Sequence, residues 1–352
     1  YYFFQKDDGS HTPPNNWTSF FSGPAWNYEE ACDSWALHLF SGKQMDLNWD
    51  NPRVREEVTA MVNRWLDRGV DGFRMDVINY ISKKEGLPEG NETIGALMGY
   101  TGIEHYYYGP KLHQYLRELQ EKAFAPHGAF SVGETPGLGM KMCQLVTGEE
   151  RRELDMVFSF DHLETPGHVR MEDYAYDLNY FRDYMIDWME HYGSNCWMSL
   201  FYNNHDNPRM ISKITRDASR HTALARLLAV MQFTLKGTPF IYQGDEMGLA
   251  NYGFTSMEQI TDVEAKGYYA EARGYYAEHV KKEPEEKVFA TILAGTREHA
   301  RVMMPWNEKL PACHAGLRQK PKEEVLSAYR KLLRLRREEK AFVYGAFRVL
   351  DR

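Results

Sequence analysis

From residue 50 onward, helical stretches alternate with short apolar runs, and few folds accept that order. "DNPRVREEVTAMVNRWLDRG" reads as a helix: Asn51 can cap it, Pro52 suits its first turn, and Gly69 stops it. Val54, Val58, Met61, Val62, Trp65 and Leu66 fall on one face. The strand-like run "VDGFRMDVI" follows, then a long polar loop through about residue 110. Helices at 111–125, 139–147, 177–192 and 220–236 then precede the strand-like runs 129–134, 154–162, 197–206 and 237–246. An amphipathic helix over 322–340 leads into a strand-like tail. Such alternation predicts a parallel sheet with crossover helices. Five strands are legible, so a closed eight-stranded barrel needs three more upstream. An open doubly wound sheet is the alternative, but no glycine-rich phosphate loop opens any of these helices.

The 352 residues suit one large domain with appendages. Net charge is −8 and no basic stripe occurs, which argues against a nucleic-acid partner. No apolar run reaches the length of a membrane span. Cys32, Cys143, Cys196 and Cys313 are scattered without metal-like spacing, so reduced thiols in a cytoplasmic protein are expected. Residues 1–45 are rich in aromatics, Asn, Gly and Pro and read as irregular structure with short strands, "WALHLF" being the best of them.

Polar residues gather at the carboxyl ends of the apolar runs: Asp76, Glu134 and His205-Asp206. In a parallel barrel those ends form one rim, where active sites sit. Carboxylates without a metal or phosphate motif suit glycoside cleavage, in which one attacks the anomeric carbon and another protonates the leaving oxygen. Arg74, two residues before Asp76, shares its strand face and would keep it ionised. Glu134 ends the apolar run "FSVG", where desolvation would keep it protonated. Asp206 would stabilise positive charge on the sugar ring. A structural ion pair and loop capping are the plainer readings. A metal site at His205-Asp206 lacks a second histidine cluster or an HExxH pattern.

"GFRMDVIN" (72–79), "VGET" (132–135) and "NNHDNPR" (203–209), in that order, resemble signature regions of the α-amylase superfamily, glycoside hydrolase family 13. "PNNWTSFFSGPAW", "QMDLNWDNPRVR", "LVTGEERREL" and "GTPFIYQGDEMGL" resemble its oligo-1,6-glucosidase branch. The resemblance implies Asp76 as nucleophile, Glu134 as acid/base and Asp206 as transition-state stabiliser. It implies Arg74, His205, Arg209 and Arg301 as sugar-binding groups, and Phe21 and Phe40 as aromatic walls near the leaving-group sugar. Val77, after the nucleophile, resembles the residue of relatives that favour α-1,6 bonds. The implied function is a retaining, exo-acting α-glucosidase on α-1,6-linked, and also α-1,4-linked, gluco-oligosaccharides such as isomaltose. Trehalose-6-phosphate hydrolases and sucrose or trehalose isomerases share the three carboxylates, although Lys83 and Lys84 are the only nearby cation pair. A non-catalytic scaffold on the same fold would lack the carboxylates.

The sequence departs from that pattern in two ways. "HARVMMPWN" (299–307) keeps Arg301 but alters its neighbours, and "QMDLN" has methionine where α-1,6-acting relatives have proline. The upstream third is also absent, with the histidine, the aspartate and the structural calcium loop the resemblance places there. The expected organisation is the remainder of an inserted domain over 1–45, a (β/α)8 barrel lacking strands 1–3 over 46–340, and the start of a C-terminal β domain over 341–352. A barrel short of three strands leaves bare sheet edges, so the chain alone is expected to be unstable and inactive. No cofactor and a monomeric state are expected.

Overall fold

The computed structural model describes residues 2–193, 195–274, 284–305 and 319–350. They group into two compact units, Tyr1–Asp161 with Asn195–Trp197, and His162–Ser194 with Met198–Arg352. Cys313 and the last two residues of "HARVMMPWN" lie outside the described residues.

The first unit opens with strands β1 (Phe4–Lys6), β2 (Trp26–Glu29) and β3 (Ser34–Leu37), an antiparallel sheet in the order β1-β3-β2. Trp26, Trp35 and Leu37 pack with Trp17, Leu39, Tyr80, Ile103 and Tyr106 in one aromatic core. The rings find partners for their polar tips: Trp17 Nε1 donates to the Pro88 carbonyl at 2.8 Å and Trp26 Nε1 to Asn15 Oδ1 at 2.8 Å. This core orders the polar stretch read as a loop, and Asn79 stitches it down by donating to the carbonyls of Tyr107 and Pro136.

The helix Pro52–Leu66 starts as its sequence demands, with Asn51 accepting from the Arg53 amide at 3.0 Å. Val62 and Leu66 pack on Leu119, Ala123 and Phe124, with Phe73 and Met75 at the border. Met61 and Trp65, expected on the buried face, are exposed, because only half of the apolar stripe meets this core. β4 (Gly72–Met75), β5 (Phe130–Glu134) and β6 (Met156–Phe158) run parallel, with Arg74 opposite Val132 and Glu134 opposite Phe158. Gly72 permits this approach: a Cβ there would lie 2.4 Å from the Phe130 carbonyl oxygen. The helix expected over 111–125 divides into Leu112–Leu119, a wider π turn over Gln120–Phe124 and Ala125–His127.

In the second unit β7 (Trp197–Leu200) and β8 (Thr238–Pro239) pair in parallel. The run 237–246 contributes only two ladder residues, because Gly244 turns at φ 97° and Asp245 ties the bend by accepting from the Tyr242 amide. Helix His221–Thr234 packs on helix Glu323–Glu338, with the rings of Phe233 and Tyr329 5.4 Å apart. Arg336 donates to the carbonyls of Phe233, Leu235 and Gly237, closing the first helix's carboxyl end. Helices Val263–Ala272 and Glu285–Gly295 share a separate core of Tyr252, Phe254, Ile260, Ala265, Val288, Ile292 and Val302. The tail expected to be extended forms a helical turn at Ala341–Tyr344 instead, closed by the Gly345 amide on the Ala341 carbonyl.

Candidate active site

Each unit carries one cluster of the expected residues. In the first unit β4 and β5 deliver Arg74, Asp76 and Glu134. The Arg74 guanidinium bridges both carboxylates, pairing through Nη1 with Asp76 and through Nη2 with Glu134 Oε1 at 2.6 Å. Asp76 is exposed, whereas the Glu134 side chain is only 7% exposed. Burial raises the Glu134 carboxyl to about 7; the Asp76 charge and hydrogen bond push the same way, and Arg74 opposes them. One group of this pair is thereby suited to hold a proton at neutral pH while its neighbour faces solvent.

Val77 adds a feature that periodicity does not carry. Its backbone is left-handed, φ 34° and ψ 42°, an uncommon conformation for a β-branched residue. Such a position costs on the order of 1–3 kcal/mol and persists where the surroundings over-determine it. Here the turn aims the Val77 amide at Glu134 Oε2, 3.3 Å away, and seats the side chain against the aromatic core on which Phe40 also packs. Phe21 and Phe40 are half-buried, their rings 5.8 Å apart and edge-on. Lys83, half of the only nearby cation pair, is buried and committed to Asp46 and the Tyr80 carbonyl.

In the second unit Asp206 is the hub. Its Oδ2 meets His205 Nε2 at 3.0 Å, and its Oδ1 accepts from Arg297 Nη1 at 2.9 Å and Arg301 Nη2 at 2.6 Å. Burial pushes this carboxyl up, but the His205 hydrogen bond and the charges of His205, Arg297 and Arg301 outweigh it and hold it well below the usual range. Sequence reading found Asp206, His205 and Arg301 and missed Arg297 and Asp262. The signals are "REHAR", which sets two arginines four residues apart on one helical face, and "TDVEAK", in which Asp262 caps a helix.

Arg209 stands in a different setting from the exposed members of the expected set. It is only 2% exposed, lies 3.5 Å from Asp245, and its guanidinium sits 5.0 Å over the Tyr242 ring. It immediately precedes the helix Met210–Ile214 and holds the 242–245 turn.

The described cysteines, Cys32, Cys143 and Cys196, are free thiols. Among the described residues no group of three or more His, Cys, Asp or Glu could hold a metal ion. Among them, too, no helix is long and apolar enough to cross a membrane.

Comparison with known proteins gives the chain's family. The family profile of the α-amylase catalytic domain matches residues 1–345. The chain is 38% identical to an oligo-1,6-glucosidase of Halalkalibacterium halodurans, over 95% of this chain and 62% of that protein. It is 36% identical to one of Bacillus cereus, over 98% of this chain and 64% of that protein. Among solved structures, the trehalulose synthase of Pseudomonas mesoacidophila superposes with a TM-score of 0.85 at 32% identity, over 100% of this chain and 65% of that one. Bacillus licheniformis trehalose-6-phosphate hydrolase does so with 0.83 at 31%, over 99% and 64%. The chain thus spans 62–65% of the length of these relatives.

Proposed function

Because the chain belongs to the α-amylase family, we propose that the protein is a retaining, exo-acting α-glucosidase, cleaving α-1,6-linked gluco-oligosaccharides such as isomaltose from the non-reducing end. Its fold class is that family's (β/α)8 barrel, to which β4 to β8 belong, rather than an open doubly wound sheet. One observation carries the mechanistic reading: a single guanidinium grips both Asp76 and a buried, proton-retaining Glu134. Two carboxyls that close suit a double displacement; inverting enzymes keep theirs farther apart, leaving room for a water.

In this reading Asp76 attacks the anomeric carbon while Glu134 gives its proton to the departing glycosidic oxygen. The glycosyl ester on Asp76 is then opened by water, whose proton returns to Glu134. Asp206, held ionised by His205 and two arginines, opposes the positive charge that builds on the ring in both steps. Arg301 and His205 contact the sugar, and Phe21, Phe40 and Val77 shape the leaving-group side. The reaction calls on no cofactor. A reducing, cytoplasmic compartment fits the free thiols Cys32, Cys143 and Cys196, and a monomeric state belongs to the same proposal.

A trehalose-6-phosphate substrate has support from a relative of that name, 34% identical over 87% of this chain. The commitment of Lys83 to Asp46 weighs against a phosphate site at that pair. A hydrolysis panel on the full-length gene product, comprising isomaltose, panose, maltose, sucrose and trehalose 6-phosphate, tests the assignment. Isomaltose and panose are expected to lead. Maltose cleaved much faster than isomaltose refutes the linkage preference, and no turnover of any of them refutes the function.

A further inference from the structure

One buried hydroxyl joins the backbones that carry Phe21 and Phe40. Ser19 is only 3% exposed. Its Oγ accepts from the Phe21 amide at 3.1 Å and donates to the Phe40 carbonyl at 2.7 Å, with the Leu39 carbonyl 3.3 Å away. A hydroxyl has one hydrogen to give and lone pairs to accept with, so this single atom satisfies a group on each side. The first bond is local, a serine turn of the kind short loops use. The second crosses to a segment 21 residues further along the chain. His38, 5% exposed, reaches the same point, its Nδ1 lying 2.9 Å from the Phe40 carbonyl. A carbonyl only accepts, so Nδ1 carries the hydrogen. The other ring nitrogen, Nε2, is buried and has no hydrogen-bond partner among the described residues. The His38 ring therefore spends its side-chain hydrogen bond on Phe40. Other bonds dock the loop as a whole: the Ser19 amide donates to the Gly23 carbonyl at 2.9 Å, and the Phe20 amide to the Leu39 carbonyl at 2.8 Å. The Phe20 ring stacks on Phe40 at 5.0 Å and 15°, while Phe21 meets Phe40 edge-on.

We propose that Ser19, seconded by His38, is a positioning residue that sets the opening between Phe21 and Phe40 and, through it, which leaving group the enzyme admits. The proposal rests on the α-glucosidase reading for its effect on selectivity, while the shared anchor stands on geometry alone. A hydroxyl and an imidazole set against an aromatic core cost desolvation that apolar side chains would avoid. What they supply is directional placement, which stacking rings do not. An aromatic wall discriminates by shape, so it selects only as well as its backbone is held. Without the Ser19 hydroxyl the loop keeps its dock on Leu39, but Phe21 and Phe40 lose the atom they share. The gap between the rings then relaxes, and the enzyme distinguishes less between a sugar and a flat aromatic leaving group.

The test uses purified full-length protein with isomaltose and p-nitrophenyl α-glucoside. Ser19→Ala should lower the isomaltose-to-nitrophenyl ratio of kcat/KM about fivefold. A ratio within about 1.5-fold of wild type overturns the positioning role. Where S19A folds poorly, His38→Leu reads the same carbonyl from its other donor and should move the ratio the same way, about twofold to threefold. A residue that merely supports the fold would act whether or not the wall is present, so the decisive measurement is made in an F40A background. There S19A should change the ratio by less than about 1.5-fold, because the ring it places is gone. An effect as large as in the wild-type background overturns the proposal. The anchor has its own readout by thermal unfolding. Each of S19A and H38L leaves the Phe40 carbonyl one donor, and the double variant leaves it none, so Tm should fall by more than the sum of the single changes. Additive changes overturn the shared anchor. Failure of the wild-type protein to hydrolyse any α-glucoside overturns the functional reading instead, and leaves the Tm cycle to decide the anchor by itself.

Discussion

Replacing Glu134 by glutamine should abolish turnover and yet make the protein more stable at alkaline pH. The argument starts from the ordinary glutamate value of 4.5 and the value of about 7 that burial imposes in the folded state. Between these two pH values the unfolded chain releases the proton and the folded chain keeps it, so the native state binds more protons and stability falls as pH rises. The stabilisation is complete below 4.5 and gone above 7. At about 1.4 kcal/mol per pH unit the interval amounts to about 3 kcal/mol. The side chain is almost fully shielded, so solvent screening takes little from that figure. Glutamine cannot ionise and escapes the loss. The two proteins should therefore unfold together near pH 4, and the variant should gain about 3 kcal/mol at pH 8, about 4 °C in Tm for a chain of this size. Calorimetric or circular-dichroism melts across that range measure it. A Tm difference that does not change between pH 4 and pH 8 would refute the claim that Glu134 retains its proton through burial. In the wild-type enzyme the same ionisation should appear as an alkaline limb of kcat/KM near pH 7.

Three further outcomes are expected. Asp76→Asn should cut kcat by several orders of magnitude with little change in Tm, since Asp76 is exposed; a loss below tenfold removes it from the nucleophile's role. Val77→Thr keeps the branch but puts a hydroxyl on a side chain packed against the aromatic core, so the isomaltose-to-maltose ratio of kcat/KM should fall; an unchanged ratio ends the linkage argument. Arg209→Met should lower stability by about 3–5 kcal/mol by leaving buried Asp245 without its cation, with sugar KM within about twofold; a large KM increase at unchanged Tm assigns Arg209 to the sugar-binding set.

Sequence alone determined the element types and the placing of polar residues at the strand ends. The period of apolar residues located the helices Pro52–Leu66, Leu178–His191, His221–Thr234 and Glu323–Glu338, and the cap Asn51 marked the first of the starts. Those signals are local, made of backbone hydrogen bonds and one-sided burial, and survive without knowledge of the fold. The pairing of Arg74 with Asp76 was legible for the same reason, the two being two residues apart at one strand's end. Tertiary structure decided what depends on residues far apart in the chain. Sequence motif offered Arg209 as a sugar contact; packing sets it, buried, beside Asp245. Strand 237–246 shrank to two residues because a buried aspartate bends the backbone there. The bridging of Glu134 by Arg74 joins residues 60 positions apart, and the Arg297–Asp262 ion pair joins residues 35 apart. The left-handed turn at Val77 is set by the core it leans on, against the preference of valine itself. Which group is charged, and which is shielded enough to stay neutral, is a property of the surroundings rather than of the residue.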